Sequence, residues 1–365
     1  MPEFVKGLEL SRLFFEEAVR PVLAAEFPSL RYAAALLGTG SEVLGFDTEM
    51  SADHGWGPRV DLFLGEEDYD SARDTIREAL RHRLPRHFRG YPTSFTEPDP
   101  TDNNVQHLDA RDTGPVNHKV ESMAPRAFFL KYLAFDIEQE IEPADWLTFP
   151  EQKLRTVSSG GVFHDEIGLE DLRRRFAYYP RDVWLYLLAS AWARVGQEEH
   201  LMGRAGSVGD ELGSALIGAR LVRDLMRLCF LMERTYAPYP KWFGTAFKQL
   251  SCAAELSPHL SAALAAPTWQ GREQHLAAAY RTVAELHNEL GITAPLQTEP
   301  RDFFGRPLRV IELHGFSQRI LENIKDERVR RIAARKTIGG IDLFSDSTDL
   351  VSHASWRATL RKLYE

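Results

Sequence analysis

The sequence predicts an α+β protein in which a mixed β-sheet with flanking helices is followed by a helical bundle. Two apolar segments, Tyr32 to Leu37 and Val60 to Leu64, have the length and composition of buried strands. From about Arg181 onward, apolar residues recur at helical spacing through most of the remaining chain. We therefore expect two domains, residues 1–150 and residues 151–365, with the helical domain second.

The first half alternates helical and extended patterns. Pro and Gly residues end the helical segments, and a long stretch rich in Pro, Gly, Asp, Thr and Asn predicts an irregular segment. Such a loop within a compact domain is uncommon unless it is functional. The predicted elements are a helix over 8–27 kinked at Pro21, a short helix after Ser41, a helix over 69–84, the irregular segment over 88–117, a short strand over 118–122 and a helix over 125–135.

The second half is predicted to be almost entirely helical. A connector runs from about residue 145 to residue 171, through Ser158-Ser159-Gly160-Gly161. The helices predicted beyond it cover residues 181–203, 207–235, 241–250, 258–265, 268–290, 317–336 and 347–364.

The turn Gly38-Thr39-Gly40-Ser41 after the first strand carries the first functional signal. Because Gly40 has no side chain, backbone N–H groups in this turn can approach a phosphate closely. Carboxylates entering the neighbouring strand would then stand where a divalent metal bridges them to that phosphate. The glycine spacing fits neither the dinucleotide-binding pattern Gly-x-Gly-x-x-Gly nor a P-loop, which needs Gly-Lys-Ser/Thr. An ordinary strand–loop–strand with an acidic surface turn is the structural alternative.

Together with Ser51 and Asp53, this turn resembles the signature of the nucleotidyltransferase superfamily, which is Gly-Ser, a short gap and then Asp-x-Asp at the start of a strand. The resemblance implies an α/β nucleotidyltransferase-like fold for the first domain. It also implies that Gly40 and Ser41 hold the terminal phosphates of a nucleoside triphosphate, with ATP as the first candidate, and that Asp53 binds Mg²⁺.

One position departs from that signature. Where the superfamily has its second aspartate, two residues after Asp53, this chain has Gly55. The loss of a carboxylate is expected to weaken or remove one metal ion, and the candidates to replace it are His54 and Asp61. Asp61 comes near Asp53 only if the segment between them turns back.

The short strand after the irregular segment carries Glu121. In this position it resembles the third catalytic carboxylate of the superfamily. The resemblance implies that Glu121 is the base that takes a proton from an acceptor hydroxyl, or is a further metal ligand. The structural alternative is an exposed glutamate on an edge strand.

The helical half carries a second resemblance. The run Gly196-Gln197-Glu198-Glu199, followed by an Arg-Ala pair, is similar to a helix of the bacterial aminoglycoside adenylyltransferases. In that family an arginine on a later helix and a lysine opening the next one meet the triphosphate. The resemblance implies these roles for Arg223 and Lys241, with Arg220 as a neighbour and Glu198 in the same nucleotide-binding wall, and a helical domain that closes the nucleotide cleft.

A longer pattern looks like a large bacterial family of uncharacterised nucleotidyltransferase-like proteins. It includes the segment from Asp53 to Arg59 and the segment from Tyr236 to Trp242, and the likeness runs from about residue 5 to residue 300. This likeness implies the fold of the protein more than it implies a substrate.

Charge and composition limit the partners. With 53 acidic and 44 basic residues, the net charge of −9 argues against duplex nucleic acid as a partner. The two cysteines have no zinc spacing, and no apolar stretch is long enough to span a membrane. The N-terminal residues do not read as a signal peptide, so we expect a cytoplasmic protein.

The resemblance implies a transferase that moves a nucleoside monophosphate from a nucleoside triphosphate to a hydroxyl of a small molecule, with Mg²⁺ as cofactor. The competing hypothesis is a non-catalytic nucleotide-binding or small-molecule-binding protein whose metal site is degraded at Gly55. A third alternative comes from Arg281 and His287, whose spacing is used by some helical ribonucleases. The acceptor and the oligomeric state are not predicted.

Overall fold

The computed structural model describes residues 3–52, 55–102, 104–110, 113–335 and 337–365. The chain divides into two compact units, residues 1–140 with 153–177, and residues 141–152 with 178–365. In chain order the strands are β1 (Tyr32–Leu36), β2 (Arg59–Leu64), β3 (His87–Phe88), β4 (Tyr91–Pro92), β5 (Ser94–Phe95), β6 (Leu108–Asp109), β7 (Lys119–Met123), β8 (Gly161–Asp165), β9 (Arg301–Phe303) and β10 (Arg306–Val310).

The helices of the first half are α1 (Gly7–Phe14), α2 (Arg20–Glu26), α3 (Glu66–Arg83), α4 (Pro125–Leu133), α5 (Pro143–Thr148), α6 (Glu151–Ser159) and α7 (Leu169–Arg174). Those of the second half are α8 (Arg181–Ser207), α9 (Glu211–Met232), α10 (Pro240–Phe247), α11 (Ala253–Ala265), α12 (Trp269–Glu289), α13 (Phe316–Leu321), α14 (Glu327–Arg335), α15 (Ile341–Phe344), α16 (Thr348–Ser352) and α17 (Arg357–Arg361).

A four-stranded mixed sheet, in the order β7-β2-β1-β8, forms the centre of the first unit. Strand β1 is antiparallel to both β2 and β8, whereas β2 is parallel to β7. Together with the many helices, this sheet confirms the predicted α+β class and the predicted mixed sheet.

Alternate residues of the strands face two different layers. On one face, Leu62 and Val120 belong to a core that includes Phe14 of α1. On the other face, Phe63 packs against Phe128 of α4, with ring centroids 5.5 Å apart. The odd-numbered residues of β2 and β7 therefore share a face, and the charged ones among them lie at the starts of these strands.

The predicted boundary between residues 150 and 151 differs from the observed division of the chain. Strand β8 pairs with β1, with Ala33 opposite Asp165, so residues 153–177 belong to the first unit. The sequence predicted a connector here because the segment is short and follows Gly160-Gly161. Strand β8 is specified by backbone hydrogen bonds to β1, and the side-chain pattern of a segment does not predict such bonds.

Three further segments differ from prediction. The predicted helix over 8–27 is interrupted by a π-helical segment, Phe15–Val19, and Pro21 lies in the first turn of α2, where its missing N–H costs little. Residues 41–45 form a turn where a short helix was predicted. Within the predicted irregular segment, β3 pairs with β4 and β5 pairs with β6.

Helices make up most of the second unit, as predicted. Helix α8 packs against α9 and α13, and Trp184, Tyr186 and Trp192 of α8 are among the largest fully buried side chains. The hairpin of β9 and β10 was not predicted. Across the residues that the structure describes, no helix combines the length and apolarity that a membrane crossing requires.

The arginine and histidine of the proposed ribonuclease spacing do not form a site in this structure. His287 is fully buried, and its ring packs against Trp192 and Phe316. Arg281 is exposed and pairs with Glu299 at 2.6 Å. A buried histidine cannot reach an RNA backbone, so the geometry does not support this alternative.

Candidate functional site

The end of β1 and the starts of β2 and β7 lie at one end of the sheet, because β1 is antiparallel to β2 and β2 is parallel to β7. The N–H of Leu37 donates to Oδ2 of Asp61 at 2.9 Å and ties the end of β1 to β2. The predicted Gly-Ser turn therefore begins beside the charged residues of two strands. We call residues 38–42, 55, 59–61 and 119–121 the sheet-end site.

The turn of this site needs glycine at two positions. Gly38 and Gly40 have φ values of +81° and +151°, and a Cβ on Gly40 would lie 2.7 Å from the carboxylate atoms of Glu42. Within the described part of the chain, the backbone N–H groups of residues 39–41, which include Ser41, donate to no acceptor. Free N–H groups in a glycine turn form a concavity that suits an anion.

Arg59 fixes the shape of this turn. Its Nε and Nη2 donate to Oε1 of Glu42 at 3.0 and 2.6 Å, and Nη2 also donates to the carbonyl oxygen of Thr39 at 3.1 Å. The Arg59 and Glu42 side chains are only 15% and 7% exposed. The pair therefore holds the turn against the first residue of β2.

Asp61 and Glu121, two of the predicted site residues, lie directly opposite each other on the parallel strands β2 and β7. Asp61 is buried, whereas Glu121 is exposed. Burial raises the pKa of Asp61, although the Arg59 charge and the Leu37 N–H oppose this shift. The structure thus brings together two carboxylates that the sequence assigned to one site.

Lys119 lies opposite Arg59 in the same ladder. Its Nζ is 3.0 Å from the position that a Cβ would take on Gly55 and 5.3 Å from the centroid of the Phe95 ring. Burial, followed by the charge of Arg59, lowers the pKa of Lys119, while the nearby carboxylates of Glu121, Glu42 and Asp61 raise it. The amine of Lys119 therefore lies beside the glycine at which the sequence departs from the predicted signature.

The described residues do not fit a two-ion magnesium site. In the ranges that the structure describes, no group of three or more His, Cys, Asp or Glu side chains is arranged to hold a metal ion. Asp53 and His54, two of the three predicted ligands, lie outside those ranges. The third, Asp61, already accepts the Leu37 N–H, and the amine of Lys119 faces Gly55.

In the second unit, Glu198, Arg220 and Arg223 take part in one charge network. Glu198 pairs with Arg220 at 2.9 Å and with Arg194 at 3.1 Å. Arg194 and Arg223 both lie near Asp224, at 3.4 and 3.5 Å. The acids in this network already neutralise much of the basic face, and the predicted contact of these residues with a triphosphate stays a prediction.

Lys241, the remaining predicted phosphate ligand, is the second residue of α10. It is exposed, and its Nζ lies 5.0 Å from the ring centroid of Trp242. Its predicted role also stays a prediction.

Sequence reasoning missed four residues of the first unit that shape this site or its surroundings. Besides Glu42, Arg59 and Lys119, these include Asp47, a fully buried aspartate whose Oδ2 accepts the N–H of Gly7 at 2.6 Å. One signal was available, since Arg59 and Lys119 are basic residues at the first position of β2 and β7. Their placement on a common face required the register.

Residues 146–243 match a family model described as a domain of unknown function, DUF4037. This confirms the predicted likeness to an uncharacterised family for that segment. No curated protein matches the sequence.

Among solved structures, the chain is similar to a nucleotidyltransferase-like protein from Exiguobacterium sibiricum, with 12% sequence identity and a TM-score of 0.31. The match covers 76% of this chain and 77% of that one. At this identity and TM-score the match does not establish a common fold. The resemblance to aminoglycoside adenylyltransferases stays a prediction.

Proposed function

We propose that this protein binds a nucleotide at the sheet-end site. The observation that carries the proposal is the amine of Lys119, 3.0 Å from the Cβ position of Gly55 and on the same sheet face as Arg59. Two cations stand near a glycine turn whose N–H groups are free within the described residues. Charged donors and backbone N–H groups are what phosphate oxygens require.

In this proposal the turn and the lysine share the phosphate charge. The N–H groups of Gly40 and Ser41 donate to phosphate oxygens, and Lys119 supplies a mobile positive charge on a flexible stem. Arg59 acts indirectly, because its guanidinium is engaged by Glu42 and keeps the turn in place. No step of this proposal requires a metal ion.

Transfer of a nucleoside monophosphate is the second candidate function. The position of Asp61 directly opposite Glu121 on the neighbouring strand favours it. In that reaction Glu121, which is exposed, accepts the proton of an acceptor hydroxyl. The hydroxyl oxygen bonds to the α-phosphorus, and the bond to the leaving pyrophosphate breaks. The predicted Mg²⁺ dependence of this reaction rests on Asp53, outside the described residues.

Isothermal titration calorimetry with ATP, GTP, CTP and UTP, with and without Mg²⁺, tests the proposal. We expect Mg²⁺-independent binding that weakens by about tenfold or more in Lys119→Met, because a charge-assisted contact contributes roughly 1.5–3 kcal/mol. Lys131→Met, at an exposed lysine of α4, is the matched control and should bind like the wild type. Absence of binding to all four nucleotides would overturn the proposal.

A separate assay tests whether the protein transfers a nucleoside monophosphate. Pyrophosphate release from ATP in the presence of a polyhydroxylated acceptor, lost in Glu121→Gln while ATP binding persists, would support the second candidate. Binding without pyrophosphate release under any of these conditions would favour the non-catalytic binding protein.

A further inference from the structure

A cavity of about 320 Å³ lies within the second unit. Its walls come from α9, the start of α10 and the segment around α15 and α16. The residues that matter for its chemistry are Arg223, Arg227, Tyr239, Phe243, Asp342 and Asp346. None of these residues belongs to the sheet-end site.

Two arginines give the cavity its cationic side. Arg223 and Arg227 are one helical turn apart on α9 and therefore share a face. The buried Nε atoms of both have no hydrogen-bond partner within the described part of the chain. Buried polar atoms in folded proteins are nearly always satisfied, so these two cavity-lining arginines have donor capacity that the described residues do not use.

Aromatic side chains give the same cavity an apolar wall. The Arg227 guanidinium lies 5.5 Å from the ring centroid of Phe243, and Tyr239 lies between two lining prolines, Pro238 and Pro240. Such a wall offers flat apolar surface to a ring, while the arginine face stays available to an anionic group.

The two acids of the cavity are held differently. Asp342 accepts the backbone N–H of Glu151 at 2.9 Å, and burial raises its pKa against the pull of the Arg227 charge. Asp346 is 68% exposed and pairs with Arg223. An exposed carboxylate that pairs with one arginine can be displaced by another anion, because exposed ion pairs contribute little stability.

We propose that this cavity binds a small molecule with one aromatic ring and one anionic group, a phosphate monoester. The anion lies between Arg223 and Arg227, the ring lies against Phe243 and Tyr239, and Asp346 occupies the anion position when the ligand is absent. This ligand site goes beyond the proposed function, and Asp346 is its internal competitor.

Calorimetry with phenyl phosphate as the probe tests the inference, with inorganic phosphate as the ring-free comparison. We expect phenyl phosphate to bind the wild type and to bind about tenfold more tightly to Asp346→Asn, where the competing carboxylate is neutral. Asp349→Asn, at an exposed aspartate of α16, is the matched control and should leave the affinity unchanged. Inorganic phosphate should bind at least about tenfold more weakly, because it makes no ring contact.

Arg227→Met is expected to abolish phenyl phosphate binding, and Arg227→Lys, which keeps the charge without the planar fork, to weaken it. Thermal melting verifies that each variant is folded, and the Asp346→Asn result tests the inference even if Arg227→Met does not fold. Lys119→Met should leave phenyl phosphate binding unchanged, which separates this cavity from the sheet-end site. Equal affinity for the two probes, no binding of phenyl phosphate to the wild type or Asp346→Asn, or unchanged affinity in Asp346→Asn would each overturn the inference.

Discussion

Lys119 and Gly55 are 64 residues apart in the sequence but are neighbours in space. The Nζ atom of the lysine lies 3.0 Å from the position that a Cβ would take on the glycine. The Gly55 backbone has a φ of +63° and donates its N–H to the carbonyl oxygen of Gln106 at 3.0 Å. The amine of Lys119 therefore lies beside the glycine at which the sequence departs from the predicted signature. The carboxylates of Glu121, Glu42 and Asp61 lie close enough to this amine to raise its pKa.

A carboxylate introduced at position 55 should bind Mg²⁺ only when the lysine is removed. In Gly55→Asp we expect the new carboxylate to pair with Lys119, whose flexible end can move aside, and no gain in Mg²⁺ affinity. In Gly55→Asp with Lys119→Gln, the carboxylate has no such partner and Mg²⁺ affinity should rise. Titration calorimetry with Mg²⁺ measures both.

The matched control for that pair is Gly55→Asn with Lys119→Gln, because Asn and Asp both tolerate a positive φ. Equal Mg²⁺ affinity in Gly55→Asp with and without Lys119→Gln would show that the lysine does not oppose the metal.

Loss of Arg59 should destabilise the first unit. Arg59→Met leaves the Glu42 carboxylate, 7% exposed, without its partner, and an uncompensated buried charge costs about 3–5 kcal/mol. Urea unfolding of Arg59→Met should show most of this loss. The double variant Arg59→Met with Glu42→Gln should recover part of it, and a double variant no more stable than Arg59→Met would contradict the explanation.

The stability of the second unit should depend on pH through two glutamates. Burial raises the pKa of Glu312 to about 8 and that of Glu199 to about 7, in each case against hydrogen bonds from backbone N–H groups. Because the folded values lie above the ordinary value of 4.5, the folded form holds protons more tightly than the unfolded form. The stabilisation is therefore present below pH 4.5 and is lost as the pH rises through 7 and 8.

Glu312→Gln removes one of these titrations. Its melting temperature should exceed that of the wild type at pH 8.5 and approach it at pH 5, as measured by thermal unfolding across this range. An equal difference at both pH values would show that Glu312 does not titrate in this window.

Asp145 should anchor the C-terminal helix α17 to α5. It is 2% exposed and pairs with both Arg357 and Arg361, and Arg357 is itself only 7% exposed. Asp145→Asn is expected to lower the free energy of unfolding by about 3 kcal/mol, because the Arg357 charge remains buried. Glu365→Gln, which removes an exposed partner of Arg361, is the control and should change stability little in urea unfolding.

Much of the secondary structure followed from the sequence. The apolar runs at β1 and β2, the short strand at β7 and the long helices α8, α9 and α12 were predicted because each has a local period or run length that identifies it. Strand β8 was missed because its residues, Gly161 to Asp165, carry no apolar alternation strong enough to separate them from a loop. Its place in the sheet is set by hydrogen bonds to β1, which lies more than a hundred residues earlier in the sequence.

The amino-acid sequence specifies the chemical groups of the candidate site, namely the glycine turn, Asp61, Glu121 and a glycine at position 55. Which of these groups lie next to one another depends on the three-dimensional fold. Register places Lys119 opposite Arg59 and Asp61 opposite Glu121, and the fold of the second unit sets Arg227 against Phe243. The physical reason is that local patterns specify strands and helices, whereas ladder hydrogen bonds and the burial of apolar faces choose the neighbours across the fold.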